Sequence, residues 1–185
     1  MNKLDLFLSY LTGDFNNKKQ IEAQKDNQTH PYSIHITREC NDKIENLPKD
    51  IKGRFILEES YYTKPDGSKL IAPHLFYFEL NEAENVVLTS YSLPSNYEKE
   101  ELVNENVNLK MNFDELEISK TFNPMEYKVT QDSSFYGSSR NEFPNGMVFT
   151  LTETISKNKL EVMELMQKDN KSLSSYNTPI IYDRV

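Results

Sequence analysis

A change of hydrophobic period just after residue 13 constrains this chain more than any other feature of its sequence. Leu4, Phe7, Leu8 and Leu11 fall at i, i+3, i+4 and i+7, the stripe of a short amphipathic helix. Gly13 ends it, as glycine does at many helix C-termini. So short a helix cannot hold itself together in water, which predicts a lid packed on something larger. After a polar stretch rich in Asn, Gln and Lys the period becomes two. Tyr32, Ile34 and Ile36 alternate with Ser33, His35 and Thr37, and Phe55, Leu57, Glu59 and Tyr61 alternate with Ile56, Glu58, Ser60 and Tyr62. Period two belongs to strands, whose successive side chains point to opposite faces.

Lys64-Pro65-Asp66-Gly67 is a turn by its chemistry: proline presets one φ, while Asp and Gly accept the tight geometry. Residues 70–80 form the returning strand and 85–92 the next, an antiparallel meander. Residues 97–105 are charged and read as a loop or short helix, and 113–119 as one helical turn or two. Strand character resumes at 125–131, 134–138 and 147–155, with Pro144-Asn145-Gly146 turning the chain before the last. Residues 160–166 fit a strand or a helix: Leu160, Val162, Glu164 and Met166 alternate, while Met163 and Leu165 fill the other face. Residues 180–184 are suited to closing a sheet. With no internal repeat and no linker, one domain is expected over residues 1–185, with 1–13 as the helical lid and 30–185 as the β domain. About eight short strands at this spacing make a sandwich or a barrel. Apolar side chains on both faces of Leu75-Phe76-Tyr77-Phe78 favour an antiparallel β-barrel whose interior is filled or holds a ligand.

Composition works mainly by exclusion. The chain has 185 residues, room for one core. Ten Phe and eleven Tyr are too many for a disordered chain, although 27% of the residues are charged. A net charge of −8, with Arg38, Arg54, Arg140 and Arg184 as the only arginines, argues against a nucleic-acid surface and leaves few guanidinium clamps. No apolar run approaches the roughly 18 residues of a membrane span. The first fifteen residues carry Asp5 and Asp14 and no basic leader, so neither a membrane nor a secretory signal is expected and the protein reads as cytoplasmic. The lone Cys40 forbids an intrachain disulfide and reads as an inert, buried thiol.

No phosphate loop, dinucleotide fingerprint, nucleophile elbow or zincin helix is present, so no cofactor is expected. His30 and His35 are an odd number of residues apart, which on a strand sends them to opposite faces. With His74 they read as surface or hydrogen-bonded histidines rather than zinc ligands. Of Glu58 and Glu59, adjacent on one strand, one must face inward. An inward carboxyl beside tyrosines is either a hydrogen-bonded core group or a general acid/base with a raised pKa. Tyr61, Tyr62, Tyr77 and Tyr91 fit plain core packing, or a pocket that stacks a flat ligand and hydrogen-bonds its edge.

Gly13-Asp14-Phe15-Asn16-Asn17-Lys18-Lys19-Gln20, placed just after a short helix, resembles the opening signature of the T-type (CpcT/CpeT) phycobiliprotein chromophore lyases. The likeness continues through Pro31-Tyr32-Ser33-Ile34-His35-Ile36, Leu47-Pro48, the strand Phe55-Ile56-Leu57-Glu58-Glu59-Ser60-Tyr61 and Phe135-Tyr136-Gly137. The resemblance implies a calycin-like antiparallel β-barrel related to lipocalins, a homodimer, and a family activity of attaching linear tetrapyrroles to a cysteine of an antenna protein. Leu75 and Tyr77 stand where the family has an arginine pair suited to bilin propionates. Asn123-Pro124 and Gly146-Met147 stand near its cysteines, and Lys168-Asp169-Asn170 near its Asp-Arg-Gly. With these departures the resemblance implies a diverged barrel without lyase activity that takes a small apolar or aromatic ligand. The candidate contacts are Glu59, Tyr61, Tyr62, His74, Tyr77, Tyr91 and Arg140. Two readings stand beside it: a filled barrel whose acidic outside meets a protein partner, and an active lyase in which Arg54 or Arg140 replaces the missing pair.

Overall fold

The computed structural model describes residues 2–24, 29–169, 171–173 and 176–185; Met1 of the expected lid and Asn170 of the Lys168-Asp169-Asn170 triplet lie outside the described residues. Asn2 starts α1 (Lys3–Leu11) with a capping box: its side chain accepts from the Asp5 backbone N–H at 2.8 Å, and the Asp5 carboxylate accepts from the Asn2 N–H at 3.4 Å. The whole stripe of Leu4, Phe7, Leu8 and Leu11 is buried. The chain continues through β1 (Gly13–Asn16), α2 (Lys18–Gln24), β2 (Tyr32–Glu39), β3 (Ile44–Glu45), β4 (Arg54–Thr63), β5 (Lys69–Leu80) and β6 (Val86–Tyr91). It ends through β7 (Met111–Asn112), β8 (Met125–Val129), β9 (Phe135–Glu142), β10 (Met147–Ser156), β11 (Lys159–Lys168), β12 (Lys171–Ser172) and β13 (Ile180–Arg184).

The main sheet runs β10-β9-β8-β6-β5-β4-β2-β1-β13-β11-β12, and β10 pairs back onto β11. Ten strands therefore close into an antiparallel barrel, with β12 left outside as an extension of β11. The calycin-like barrel with a short N-terminal helix expected from the sequence is what the chain forms. Residues 160–166, open to either reading in sequence, are strand. β11 pairs with β10 over ten residues, from Met147↔Lys168 to Ser156↔Lys159, and this pairing decides the conformation. β1 is not legible in the hydrophobic pattern because Phe15 is its one buried residue, and α2 is not because it buries none.

The polar stretch after α1 proves to be a clamp. Asn17 is fully buried, donating from Nδ2 to the Pro31 carbonyl and accepting at Oδ1 from the Ser33 N–H, both at 2.8 Å. Gln20 donates to the Pro179 carbonyl at 2.9 Å and accepts from the Ile181 N–H at 3.1 Å, tying α2 to β13. Arg184 reaches the end of α1, donating to the carbonyls of Thr12 and Tyr10, each at 2.6 Å, which helix geometry would otherwise leave without partners. Gly13 has φ +151, and a Cβ placed there would lie 2.0 Å from Arg184 Nη1. Gly13→Ala is therefore expected to cost about 2 kcal/mol of unfolding free energy in a urea titration. An unchanged midpoint would show that Arg184 moves aside freely.

Two cores result. One fills much of the barrel, where α1 inserts Phe7 against Phe78, Tyr127 and Phe135 with ring centroids 4.8–5.2 Å apart. The other lies outside β4 and β5, where Phe55, Leu57 and Leu75 pack under Leu102, Leu109 and Met111 of the long β6–β8 connection and beside Cys40 and Ile44. Covering from outside is why β4 and β5 are apolar on both faces. The parallel pair β3–β7 pins this outer layer. Among the described residues no helix is long and apolar enough to cross a membrane.

Candidate functional site

Strand parity sorts every candidate side chain to one side of the barrel wall. On β4 the inward row is Ile56, Glu58, Ser60 and Tyr62; on β5 it includes His74, Phe76 and Phe78. With His35 on β2, Ser139 on β9, Leu151 and Glu153 on β10, and Val162 and Glu164 on β11, these rows line a chamber of about 130 Å³. Phe7 and the rest of α1 stop the barrel at the end where Phe78 and Phe135 lie. Towards the other end, where the β4–β5 hairpin turns at Lys64–Ser68, a wider depression of about 720 Å³ shares Tyr62, His74 and Glu164 with the chamber.

The structure splits the seven sequence candidates. Tyr62 and His74 line the chamber. Glu59, Tyr61, Tyr77 and Tyr91 belong to the opposite face, under the outer layer. Glu59 is buried there as a latch: Oε1 accepts from the Asn104 backbone N–H at 2.7 Å and from Nδ2 at 2.6 Å, while Oε2 accepts from the Tyr61 hydroxyl at 2.6 Å. Burial, then the hydrogen bond to the Glu59 carboxylate, pushes the Tyr61 hydroxyl up to about 12. The Tyr77 hydroxyl accepts from the Gly53 N–H at 2.9 Å, and the Tyr91 ring packs 5.1 Å from Phe55. Arg140 lies on the outside of β9, exposed and paired with Glu142. Of the two adjacent glutamates, Glu58 is the inward one; a one-residue choice of register separates a chamber carboxyl from a structural latch.

Sequence reasoning did not select His35, Glu153 or Glu164, although one signal for them was present. Glu164 interrupts the row Leu160, Val162, Glu164, Met166, and Glu153 the row Phe149, Leu151, Glu153, Ile155. A carboxylate in an otherwise apolar period-two row either faces the wrong way or has a reason to be inside. Tyr127 donates to Glu153 Oε2, and Gly137 makes this reach possible: a Cβ there would lie 2.8 Å from the Tyr127 ring. Glu58 Oε1 accepts from the Ser60 hydroxyl at 3.0 Å and lies 3.7 Å from His35 Nδ1. The Tyr62 hydroxyl is 3.4 Å from His35 Nε2, and the His35 ring packs 4.3 Å from that of Tyr182.

Burial governs the protonation of these groups. It pushes Glu153 up to about 7, against the pull of the Tyr127 hydrogen bond and with the help of Glu58 and Glu164. It also raises Glu164, with Glu58 adding to the shift. Burial lowers His35, more than Glu58 restores, so its ring stays neutral at neutral pH. Among the described residues no lysine or arginine lines the chamber. Its walls can accept hydrogen bonds, exchange protons through carboxyl and imidazole, and grip an apolar body. They offer no thiol, since Cys40 is buried in the outer core, where burial pushes it up to about 12. Among the described residues no group of three His, Cys, Asp or Glu side chains is placed to hold a metal ion. Against known proteins, no family model and no curated sequence matches the chain.

Proposed function

We propose that this protein is a small-molecule-binding, calycin-like barrel. The observation that supports it best is the chamber of about 130 Å³ in a closed barrel, walled by Phe76, Leu88, Phe149 and Leu151 and furnished with a few polar groups. An apolar concavity with sparse, convergent polar atoms is the general form of a ligand site. The resemblance to T-type chromophore lyases supports the same fold-level use without their chemistry. Arg140 sits outside the barrel beside Glu142, Arg54 lies half-exposed at the start of β4 within reach of Glu39 and does not line the chamber, and Arg38 pairs with Asp14 at 2.6 Å. The propionates of a bilin would therefore meet carboxylates in the chamber rather than guanidinium groups, a costly exchange for buried charge.

Native mass spectrometry of the protein purified gently from its own host is expected to show a mass above that of the polypeptide, which denaturation releases as a small molecule. A bare polypeptide mass, together with no uptake of any small aromatic probe, would overturn the reading. Incubation with a bilin and an apo-antenna subunit is expected to leave no pigment on the polypeptide after denaturation. Covalent pigment above the spontaneous background would restore the lyase reading.

A further inference from the structure

The wall of the barrel is irregular in one stretch, and that stretch lies over the chamber. Building on the small-molecule reading above, we propose that the ligand enters and leaves sideways, through a window between β6 and β9 that residues 119–124 cover and the Phe122 ring stops.

The strand register reveals the window. β8 pairs with β6 as far as Leu88↔Met125, and the next contact between these stretches is the bridge Tyr91↔Ile118. Three steps along β6 are thus matched by seven along the facing chain, so four residues loop out of the wall. On the other flank the β8–β9 ladder stops at Tyr127↔Gly137, although β9 runs on to Glu142. Ser90 on β6 and Ser139 on β9, the inward residues beyond these last pairs, both line the chamber. Where a strand would continue between them, residues 119–124 form a strap without helix or strand. Its start is fixed to β6 through the backbone, the Ser119 N–H donating to the Ser90 carbonyl at 2.9 Å. Its end hangs on β9 through side chains. The Asn123 N–H donates to Asn141 Oδ1 at 2.6 Å, and Asn123 Nδ2 donates to the Arg140 carbonyl at 2.9 Å.

Phe122 lines the chamber and is nevertheless 39% exposed, so its ring has the chamber on one side and solvent on the other. It meets the Phe149 ring edge-on, with centroids 5.8 Å apart. A segment held by few backbone hydrogen bonds opens at a lower free energy than a laddered strand. The mouth of the barrel is a harder route. There the wider depression meets the chamber at Tyr62, His74 and Glu164, whose backbones are laddered as Tyr62↔Leu70, Glu58↔His74 and Leu151↔Glu164. The Tyr62 hydroxyl is also 3.4 Å from His35 Nε2. Entry at the mouth must part side chains of three strands; entry at the window turns one ring. The window is bordered by Ser90, Phe122, Met125, Ser139 and Phe149, none of them charged, which suits a neutral, flat ligand. A cavity of about 150 Å³ accommodates benzene, and the chamber, at about 130 Å³, is of that order.

Fluorobenzene, followed by fluorine NMR line shapes, gives entry and exit rates directly. Phe122→Ala is expected to raise both rates about tenfold, the size of one aromatic pair contact, with the dissociation constant changing much less. Asn123→Ala, which loosens the strap and keeps the ring, should move both rates in the same direction. Ala72→Trp, which crowds the mouth and not the chamber, should leave them unchanged. Binding of the probe also reports that each variant is folded. A faster exit without a faster entry would make Phe122 only a wall that the ligand touches. Slower exchange in Ala72→Trp, with no effect of Phe122→Ala, would place the route at the mouth. Either result overturns the proposal and leaves the small-molecule reading standing, whereas no uptake of fluorobenzene together with a bare polypeptide mass from the host would remove both.

Discussion

Phe7→Ala is expected to lower the melting temperature by about 10 °C. Phe7 has no exposed surface and touches three aromatic rings from β5, β8 and β9, so its removal opens a hole where the helix meets the barrel. Phenylalanine-to-alanine changes in cores cost about 3–5 kcal/mol, and each kcal/mol is worth about 2–4 °C in a domain of this length. A circular-dichroism melt followed at the strand minimum measures it. An unchanged midpoint would mean that α1 rests on the barrel without contributing to its cohesion.

Glu153→Gln is expected to stabilise the protein, and to do so increasingly with pH. In the fold the carboxyl is pushed up from 4.5 to about 7, so folding favours its protonated form. That contribution is complete below about pH 4.5 and is lost as the pH rises through about 7. A rise of this size corresponds to about 3 kcal/mol at pH 8. Glutamine cannot ionise and still accepts from Tyr127, so the variant should match its parent near pH 4 and exceed it by up to about 3 kcal/mol at pH 8. Urea titrations at the two pH values decide it. A gap that does not widen with pH would show that water reaches Glu153 and dissipates the cost of its charge.

The two predictions rest on features of unequal legibility. The helix stripe and the barrel follow from local periodicity, because burying one face of a helix or strand leaves a regular mark whatever the partner. The chamber does not. Whether Glu58 or Glu59 faces inward is set by the register of β4 between β2 and β5, for instance Ile36↔Glu59 and Glu58↔His74, and both rows of β4 are apolar enough for either choice. Tyr77 and Tyr91 look like pocket residues from their type alone; they are half-buried because the connection carrying Leu102, Leu109 and Met111 packs against them, a long-range event with no local signature. Asn17 and Gln20 were visible only as a motif, since their work is to satisfy backbone groups of strands far away in sequence.

The seam between β1 and β13 bears on how the chain folds. Every other ladder of the barrel joins strands that follow one another along the meander, whereas Phe15↔Arg184 and Asn16↔Asp183 join its two ends. Loop-closure entropy makes that ladder the slowest to form, and during synthesis it must wait until the last strand has been made. Until then the protein is a curled, open sheet with unpaired backbone along β1 and β11, the kind of edge that recruits a second chain. Loss of residues 180–185 would leave it permanently in that state. The tail of the sequence thus acts as the fastener that turns an aggregation-prone sheet into a closed vessel.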